Sequence, residues 1–328
     1  MPYPVRAALI DMRPRQRRRN RLVADHLRLP EDQQFSWLDR LLVRNLNFVR
    51  RRDEGTEQIW GITVVRNEED IIGFTIEHLL AEGVDRVVVA DNLSDDGTRC
   101  LLIEMAQRLP ITVLEDRLDA HYQGAKITLM ARWASAHGAR WIIPFDADEL
   151  WHSPSGRISE VLDKATAQVV KAQMWGHVPV GTDDERQQNP YRRIRMRAEA
   201  KLVPTKVAFR SHPWARVNDG NHSVRVPGDR AWLLEIRHFP HRNNAQMLKK
   251  LKVGGRALEA TDLQRSTGYQ WRRLSALADE QILEQVQAGS AGLTNPDPND
   301  RLLDDPAPFR SLVAQSDVCS EETGSVGL

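Results

Sequence analysis

Between residues 59 and 145, short apolar runs alternate with helical patterns, and this alternation constrains the fold more than any other feature of the chain. The apolar runs predict strands at residues 59–65, 85–90, 111–114 and 141–145. Apolar residues at helical spacing predict helices at residues 68–81, 98–108 and 122–137. Short buried strands that alternate with helices are typical of a parallel sheet covered on both faces. We therefore predict an α/β fold with a mostly parallel, Rossmann-like sheet flanked by helices.

The second half of the chain follows a looser pattern. Strands are predicted at residues 168–180, 206–210, 223–226 and 232–239, and helices at residues 243–260 and 270–288. These elements no longer alternate, so we expect a mixed antiparallel extension that closes over the site, followed by C-terminal helices. The predicted organisation is a basic arm (1–55), a main domain (56–265), a C-terminal helical segment (266–310) and a disordered tail (311–328).

Composition excludes several classes of protein. The 328 residues carry a formal net charge of +1, so no whole-molecule field attracts nucleic acid. The two cysteines do not form a disulfide framework, and no apolar run approaches the ~18 residues of a membrane span, which predicts a cytoplasmic protein. Six arginines lie within residues 13–21, and peripheral membrane contact through this arm stays open. The alternative, a solvated arm that binds no nucleic acid, is favoured because no aromatic residue is interleaved with these arginines.

An acidic turn directly after the fourth predicted strand is the sharpest chemical signal. Asp146, Asp148 and Glu149 would be costly to place beside a buried strand without a cation or strong hydrogen-bond donors. Carboxylate oxygens suit Mg²⁺ or Mn²⁺, which take one or two protein carboxylates together with substrate phosphates. The alternative is a solvated acidic turn that caps the next helix.

Polar residues also follow the first two strands, and ligands of open α/β sheets bind at such strand ends. Asp91 ends the second strand and could accept a hydrogen bond from a base or a ribose, while Asp95 and Asp96 suit a turn and a helix cap. After the first strand, Asn67 and Glu68 have the same ambiguity, because Asn67 could simply cap a helix.

Three segments in order resemble the family 2-type glycosyltransferases of the GT-A fold, in particular the bacterial branch with a D-x-D-E motif. They read V-V-R-N-E-E, then V-V-A-D-N-L-S-D-D-G-T, then I-I-P-F-D-A-D-E-L-W. The resemblance covers residues 59 to about 260. It implies that a sugar moves from a nucleotide-diphosphate donor, usually a UDP-sugar, to an acceptor hydroxyl with the help of Mn²⁺ or Mg²⁺.

The resemblance assigns roles to matching positions of this chain. The nucleotide-binding residues it implies are Val65, Asn67, Glu68, Asp91 and Asp146. It implies that Asp146 and Asp148 also serve the metal and the diphosphate. The family commonly has two adjacent aspartates before the second turn, and Ala90 stands at the first place here. Base recognition is therefore expected to rest on Asp91 alone.

A later basic segment is the candidate for the rest of the site. In related enzymes a histidine from the second half often completes the metal or diphosphate site, which makes His238 the implied third metal ligand. Arg242 and Lys250 are then the implied diphosphate partners. The alternative for His238 is a strand-end histidine whose ring is satisfied by the backbone.

The sequence offers four candidates for the catalytic base. Enzymes of this type usually invert the anomeric centre and need a base for the acceptor hydroxyl. Asp183, Asp184, Asp219 and His222 are all candidates, and we favour Asp184 or His222. A glycan, a lipid-linked molecule or a small molecule could be the acceptor.

Three other functions compete with this interpretation. A phosphohydrolase would use D-x-D as nucleophile and acid, but that motif normally follows the first strand of the sheet. A nucleotidylyltransferase would carry a Gly-rich basic loop after its first strand, and residues 65–71 lack one. A non-catalytic module that binds sugar nucleotides or glycans is disfavoured by the intact acidic turn.

Overall fold

The computed structural model describes residues 45–46, 58–261, 263, 268–287 and 300–312. The arginine-rich segment at residues 13–21 and the tail beyond residue 312 lie outside the described residues.

Eight helices and twelve strands are described. The helices are α1 (Ile72–Ala81), α2 (Thr98–Ala106), α3 (Gln123–Ala136), α4 (Ile158–Lys164), α5 (Pro190–Arg193), α6 (Asn244–Glu259), α7 (Tyr269–Ser275) and α8 (Asp279–Gln287). The strands are β1 (Gln58–Val65), β2 (Arg86–Asp91), β3 (Ile111–Glu115), β4 (Ala139–Pro144), β5 (Glu149–His152), β6 (Val169–Gly176), β7 (Met196–Ala198), β8 (Leu202–Arg210), β9 (Arg216–Val217), β10 (Val224–Arg225), β11 (Arg230–His238) and β12 (Leu302–Asp304). A short 3₁₀ turn spans Asp219–Asn221.

The central sheet has eight strands in the order β3-β2-β1-β4-β8-β6-β11-β5. Its first four strands are parallel, β8 runs antiparallel to both β4 and β6, β11 is parallel to β6, and β5 is antiparallel to β11. The predicted α/β fold, with a mostly parallel half and a mixed antiparallel extension, is therefore confirmed. This order brings the carboxyl ends of β1, β2 and β4 to one edge of the sheet.

Strand β2 shows why the parallel half forms. All six of its residues are buried, because helices cover both faces of the sheet. Val87 and Val89 pack into an apolar core with α1 and α2, whereas Val88 packs into a second core with α3 on the opposite face. Two-residue alternation along the strand thus assigns each side chain to one of the two helix layers.

The C-terminal segment differs from the prediction of one continuous helix at residues 270–288. The chain turns at residues 276–278, because α7 and α8 each pack an apolar residue, Leu274 and Ile282, on the same face of α6. Farther on, β12 pairs with β7 and ties this segment to the main domain. The domain boundary at residue 265 stays a prediction. Among the helices that the structure describes, none has the length and apolar composition that a bilayer crossing requires.

Candidate active site at the acidic turn

A cavity of about 510 Å³ opens at the carboxyl ends of β1 and β4, beneath α6. Sequence-predicted residues on its wall are Val65, Asn67, Glu68, Asp146, Asp148, Asp219, His222, His238 and Lys250. The structure thus brings residues from both halves of the chain to one cleft. Its volume lies within the range of about 300–1,000 Å³ that is usual for ligand pockets.

The acidic turn is held in place from below. Phe145 continues β4 as its backbone N–H donates to the carbonyl of Ile62 at 3.1 Å. The carbonyl of Ala147 accepts from the hydroxyls of Thr75 (2.5 Å) and Tyr191 (3.2 Å), both buried. These contacts fix the backbone of the turn, so that Asp146 and Asp148 face the cleft on either side of buried Ala147.

Asp146 is surrounded by donors within the protein. Its Oδ2 lies 2.6 Å from Nζ of Lys206, and its Oδ1 accepts from the side-chain amides of Gln123 (2.8 Å) and Asn221 (3.1 Å). Both oxygens therefore have partners. Asn221 reaches this position in a left-handed conformation with φ 58°, one residue after Gly220 at φ 72°.

Lys206 bridges Asp146 and Glu149. It enters from β8, and its Nζ also lies 2.8 Å from Oε1 of Glu149, which is fully buried. Burial lowers the pKa of Lys206, but the two carboxylates outweigh it and raise the pKa above its ordinary value. Burial raises the pKa of Glu149 despite the neighbouring ammonium. A cation thus compensates the acidic turn within the protein itself.

Asp148 has a different environment. Its Oδ2 lies 2.6 Å from Nζ of Lys250, and its Oδ1 lies 3.6 Å from Nε2 of His238. Burial raises the pKa of Asp148, but Lys250, His238 and Arg242 together hold it well below its ordinary value. His238 ends β11, and the backbone N–H of the next residue, Phe239, donates to the Asp148 carbonyl at 2.8 Å. This bond sets the register between the acidic turn and the histidine.

The fit of a divalent cation can be judged from the donors present. No group of three or more His, Cys, Asp or Glu side chains arranged for a metal ion occurs among the described residues. Asp148 Oδ1 and His238 Nε2 do face each other across the cleft, and the buried Nδ1 of His238 has no hydrogen-bond partner among the described residues. Mg²⁺ and Mn²⁺ bind with only one or two protein ligands when phosphate oxygens supply the rest. The residues therefore fit a cation at Asp148 and His238, with Asp146 engaged by Lys206.

The residues that were predicted to bind a nucleotide differ in one position from those that line the cavity. Val65, Asn67 and Glu68 line the cavity, but Asp91 does not. Asp91 is 1% exposed and lies 3.3 Å from Arg99 of α2, whereas the next residue, Asn92, is on the cavity wall.

Asn67 joins two loops instead of capping a helix. Its backbone N–H donates to Ser94 Oγ at 3.0 Å, and its side-chain oxygen accepts from the N–H of Asp95 at 2.9 Å. The residue has φ 57°, and α1 begins only at Ile72. The loops after β1 and β2 are therefore locked together at the cavity wall.

Arg242 is buried beneath the cleft and does not line it. Its guanidinium binds Glu68 at 2.5 Å and both oxygens of Asp70 at 2.7 and 2.9 Å. Burial lowers the pKa of Arg242, but Glu68 and Asp70 outweigh it and raise the pKa above its ordinary value. This arginine thus holds the β1 loop to the segment before α6, and of the two predicted diphosphate partners it is Lys250 that lines the cleft.

The two favoured bases lie in different places. Asp184 is exposed on the loop before α5, and its side chain accepts from the backbone of Arg186, away from the cavity. His222 lines the cavity, and its Nδ1 lies 3.1 Å from the carbonyl of Thr205. Since only a donor can satisfy that carbonyl, Nδ1 carries the hydrogen and Nε2 is an acceptor. Burial, with a smaller effect of Lys206, lowers the pKa of His222, so the ring is neutral at pH 7.

Lys206, Gln123 and Asn92 lie on the cleft wall and were not among the predicted site residues. Neither Lys206 nor Gln123 belongs to a local motif, and each meets Asp146 only through the tertiary fold. The two-residue alternation of β2 was a usable signal for Asn92. It places Asp91 on the face of Val87 and Val89, toward α2, and leaves the next side chain to face the cleft.

Residues 62–218, just under half of the chain, match the model of glycosyl transferase family 2. This segment thus resembles a family 2 glycosyltransferase domain. The matched segment includes all three motifs that carry the resemblance. No curated protein matches the chain in sequence.

The solved structures similar to this chain include TarS and glucosyl-3-phosphoglycerate synthase. Residues 1–349 of TarS from S. aureus, in complex with UDP-GlcNAc, are 12% identical, with a TM-score of 0.39 over 72% of this chain and 76% of that one. Glucosyl-3-phosphoglycerate synthase from Mycobacterium tuberculosis, in complex with phosphoglyceric acid, is 18% identical, with a TM-score of 0.28 over 36% of this chain and 44% of that one.

Proposed function

We propose that this glycosyltransferase moves a sugar from a UDP-sugar to an acceptor hydroxyl with the help of Mn²⁺ or Mg²⁺. The observation that carries the proposal is the acidic turn at the end of β4. Asp148 and His238 face the same cleft there, and Lys250 lies beside them on the cavity wall. In a family 2 domain this arrangement suits the diphosphate end of a nucleotide sugar.

The nucleotide would lie across the ends of β1 and β2. Val65 and Asn67 border this part of the cavity, and Asn92 replaces Asp91 as the polar group that faces it. The Asn92 amide is held by Asp116 Oδ2 at 2.8 Å and by the Leu118 carbonyl at 2.7 Å. Its position is therefore set before any ligand binds, which lowers the entropic cost of recognition.

The diphosphate would lie between the acidic turn and α6. Asp148 and His238 would hold the cation, which neutralises charge on the departing diphosphate when bound. Lys250 would contact phosphate oxygens as a flexible point charge. Asp146 would orient Lys206 and the loop that carries Asn221, with no direct role as a metal ligand.

We assign the general base to His222. In a single displacement, the acceptor oxygen attacks the anomeric carbon as the bond to the diphosphate breaks, with inversion. The acceptor proton passes to Nε2 of His222, which the Thr205 carbonyl leaves as the lone-pair nitrogen. Asp184 is not needed in this scheme, because its side chain lies outside the cavity.

The D-x-D phosphohydrolase is the weaker alternative. Such an enzyme needs a carboxylate that is free to attack phosphorus. Both oxygens of Asp146 are occupied by three side chains of the protein, and Asp148 is paired with Lys250. Neither aspartate is thus prepared for nucleophilic attack.

A ligand screen tests the proposal. The thermal midpoint of the protein is measured with UDP, GDP, UDP-glucose and UDP-GlcNAc, each with and without Mn²⁺. Ligand at about 100 times its Kd stabilises the native state by about 2.7 kcal/mol, which gives a clear shift. We expect uridine nucleotides to raise the midpoint when Mn²⁺ is present, and release of UDP from one UDP-sugar when an acceptor mixture is added. No shift with any uridine nucleotide would overturn the proposal.

A further inference from the structure

Three cationic side chains lie in contact with five carboxylates around the acidic turn. Lys206, Lys250 and Arg242 are in ion-pair contact with Glu68, Asp70, Asp146, Asp148 and Glu149. Three positive charges against five negative ones leave a formal charge of −2 at this cluster. One divalent cation would neutralise it, but the carboxylate that faces His238 is already paired with a lysine.

Lys206 is built into the protein. Its side chain is 4% exposed, and its Nζ is enclosed between Asp146 and Glu149 at 2.6 and 2.8 Å. Release of this ammonium would leave a fully buried glutamate without its counter-charge, which is costly. Lys206 is therefore a fixed counter-cation of the turn.

Lys250 is held less tightly. It projects from α6 with 21% of its side chain exposed, and it reaches Asp148 at 2.6 Å and Glu68 at 3.1 Å. Arg242 contacts the same two carboxylates at 3.9 and 2.5 Å and stays behind if Lys250 moves. Release of Lys250 thus leaves neither carboxylate without a positive neighbour.

We propose that Lys250 is an exchangeable counter-cation of Asp148. In the ligand-free protein its ammonium occupies the place beside Asp148 that a divalent cation takes when a nucleoside diphosphate binds. The ammonium then moves to the phosphate oxygens. This inference rests on the proposed function and adds a residue that couples the two ligands.

The exchange makes cation and diphosphate depend on each other. A cation that arrives alone must displace Lys250 from Asp148 with no phosphate to receive the ammonium, so it binds weakly. A diphosphate offers Lys250 a new partner and leaves Asp148 to the cation. Each ligand then raises the affinity of the other by the same factor, as thermodynamic linkage requires.

Mn²⁺ binding without nucleotide, measured by electron paramagnetic resonance of the free ion, tests the exchange. In Lys250→Met the competitor is gone, and we expect Mn²⁺ to bind about tenfold or more tightly than in the wild type, since one contacting opposite charge shifts carboxylate proton affinity by about one to three pKa units. Lys249→Met is the matched control. It removes the same charge from the next residue of the cavity wall, but Lys249 pairs with Asp95 and not with Asp148.

A second measurement compares Mn²⁺ affinity with and without UDP. The wild type should show a large gain with UDP, Lys250→Arg should retain most of it, and Lys250→Met should lose most of it. Thermal midpoints close to the wild type establish that the variants are folded. Equal Mn²⁺ affinity in the wild type and Lys250→Met, or an equal increase in Lys249→Met, would overturn the exchange. If UDP and Mn²⁺ do not bind to the wild type together, it is the proposed function that fails.

Discussion

Replacement of Lys206 by methionine gives the strongest test of the charge balance around the acidic turn. Methionine keeps much of the side-chain length and removes the ammonium. Among the described residues, the fully buried Glu149 then retains as donors the indole N–H of Trp151 at 3.3 Å and the backbone N–H of Asp146 at 3.0 Å. Asp146 keeps its two amide donors, so the loss falls mainly on Glu149.

The expected loss follows from the burial of the pair. Removing one partner of a buried ion pair typically costs about 3–5 kcal/mol, because the other charge stays buried without compensation. We therefore expect Lys206→Met to lower the free energy of unfolding by about 3–5 kcal/mol at pH 8. Lys206→Met combined with Glu149→Gln removes both charges and should recover most of that loss.

The loss should also depend on pH. Burial already raises the pKa of Glu149, and loss of the ammonium raises it further. A carboxyl group with a raised pKa binds more protons in the folded state, so its contribution is present at low pH and is lost as the pH rises above the unfolded value of about 4.5. Relative to the wild type, the variant should be less impaired at pH 5 than at pH 8.

Urea denaturation followed by far-ultraviolet circular dichroism measures these differences. The wild type, Lys206→Met, Glu149→Gln and the double variant are compared at pH 5 and pH 8. A loss below about 1 kcal/mol at pH 8, or an equal loss at both values of pH, would refute the reasoning.

Three further predictions concern the base, a close contact and the pH dependence of stability. His222→Gln should lower turnover by about 10²–10⁴ with unchanged UDP binding, whereas Asp184→Asn, at an exposed position, should stay active. Wild-type activity should fall only below pH 6.5, because the pKa of His222 is lowered. Equal turnover in the two variants would contradict the assignment of His222 as the base. In Gly124→Ala the new Cβ would lie 2.7 Å from the backbone nitrogen of Asp219, in the turn that leads to His222, so turnover should fall. In Gly181→Ala the new Cβ would have no atom within 4 Å, so turnover should not change. Burial lowers the pKa of His78 to about 4, so the free energy of unfolding should decline as the pH falls from 6.5 to about 4, by up to about 1.4 kcal/mol per pH unit. His78→Gln should flatten this slope in urea titrations. An unchanged slope would contradict the role of His78 in this pH dependence.

The parallel half of the sheet was predictable from the sequence, because strands that are buried on both faces appear as continuous apolar runs. Runs such as Val87–Val89 are apolar at every position, and the helices between the runs carry apolar residues at helical spacing. The antiparallel half was predictable only as separate strands. The sequence contains no signal for the register that sets β8 beside β4, which is the pairing that brings Lys206 to the acidic turn.

The residues of the cleft were predictable where they directly follow a strand. Asp146 and Asp148 follow β4, and Asn67 and Glu68 follow β1, so all four face the cleft. Residues farther from a strand end were harder to place.

Arg242 illustrates the limit. The sequence predicted a diphosphate contact, but the guanidinium is buried between Glu68 and Asp70, whose proximity depends on how the loop after β1 meets the segment before α6. Such a long-range charge balance has no local sequence pattern.

Calorimetric titration of UDP with and without Mn²⁺, in the wild type and in Asp148→Asn, tests the central claim most directly. Asparagine preserves the shape of the side chain and removes the charge that faces His238 and Lys250. We predict that Mn²⁺ increases UDP affinity in the wild type and gives little or no increase in Asp148→Asn. The same Mn²⁺-dependent increase in both proteins would contradict the assignment of the acidic turn as the cation and diphosphate site.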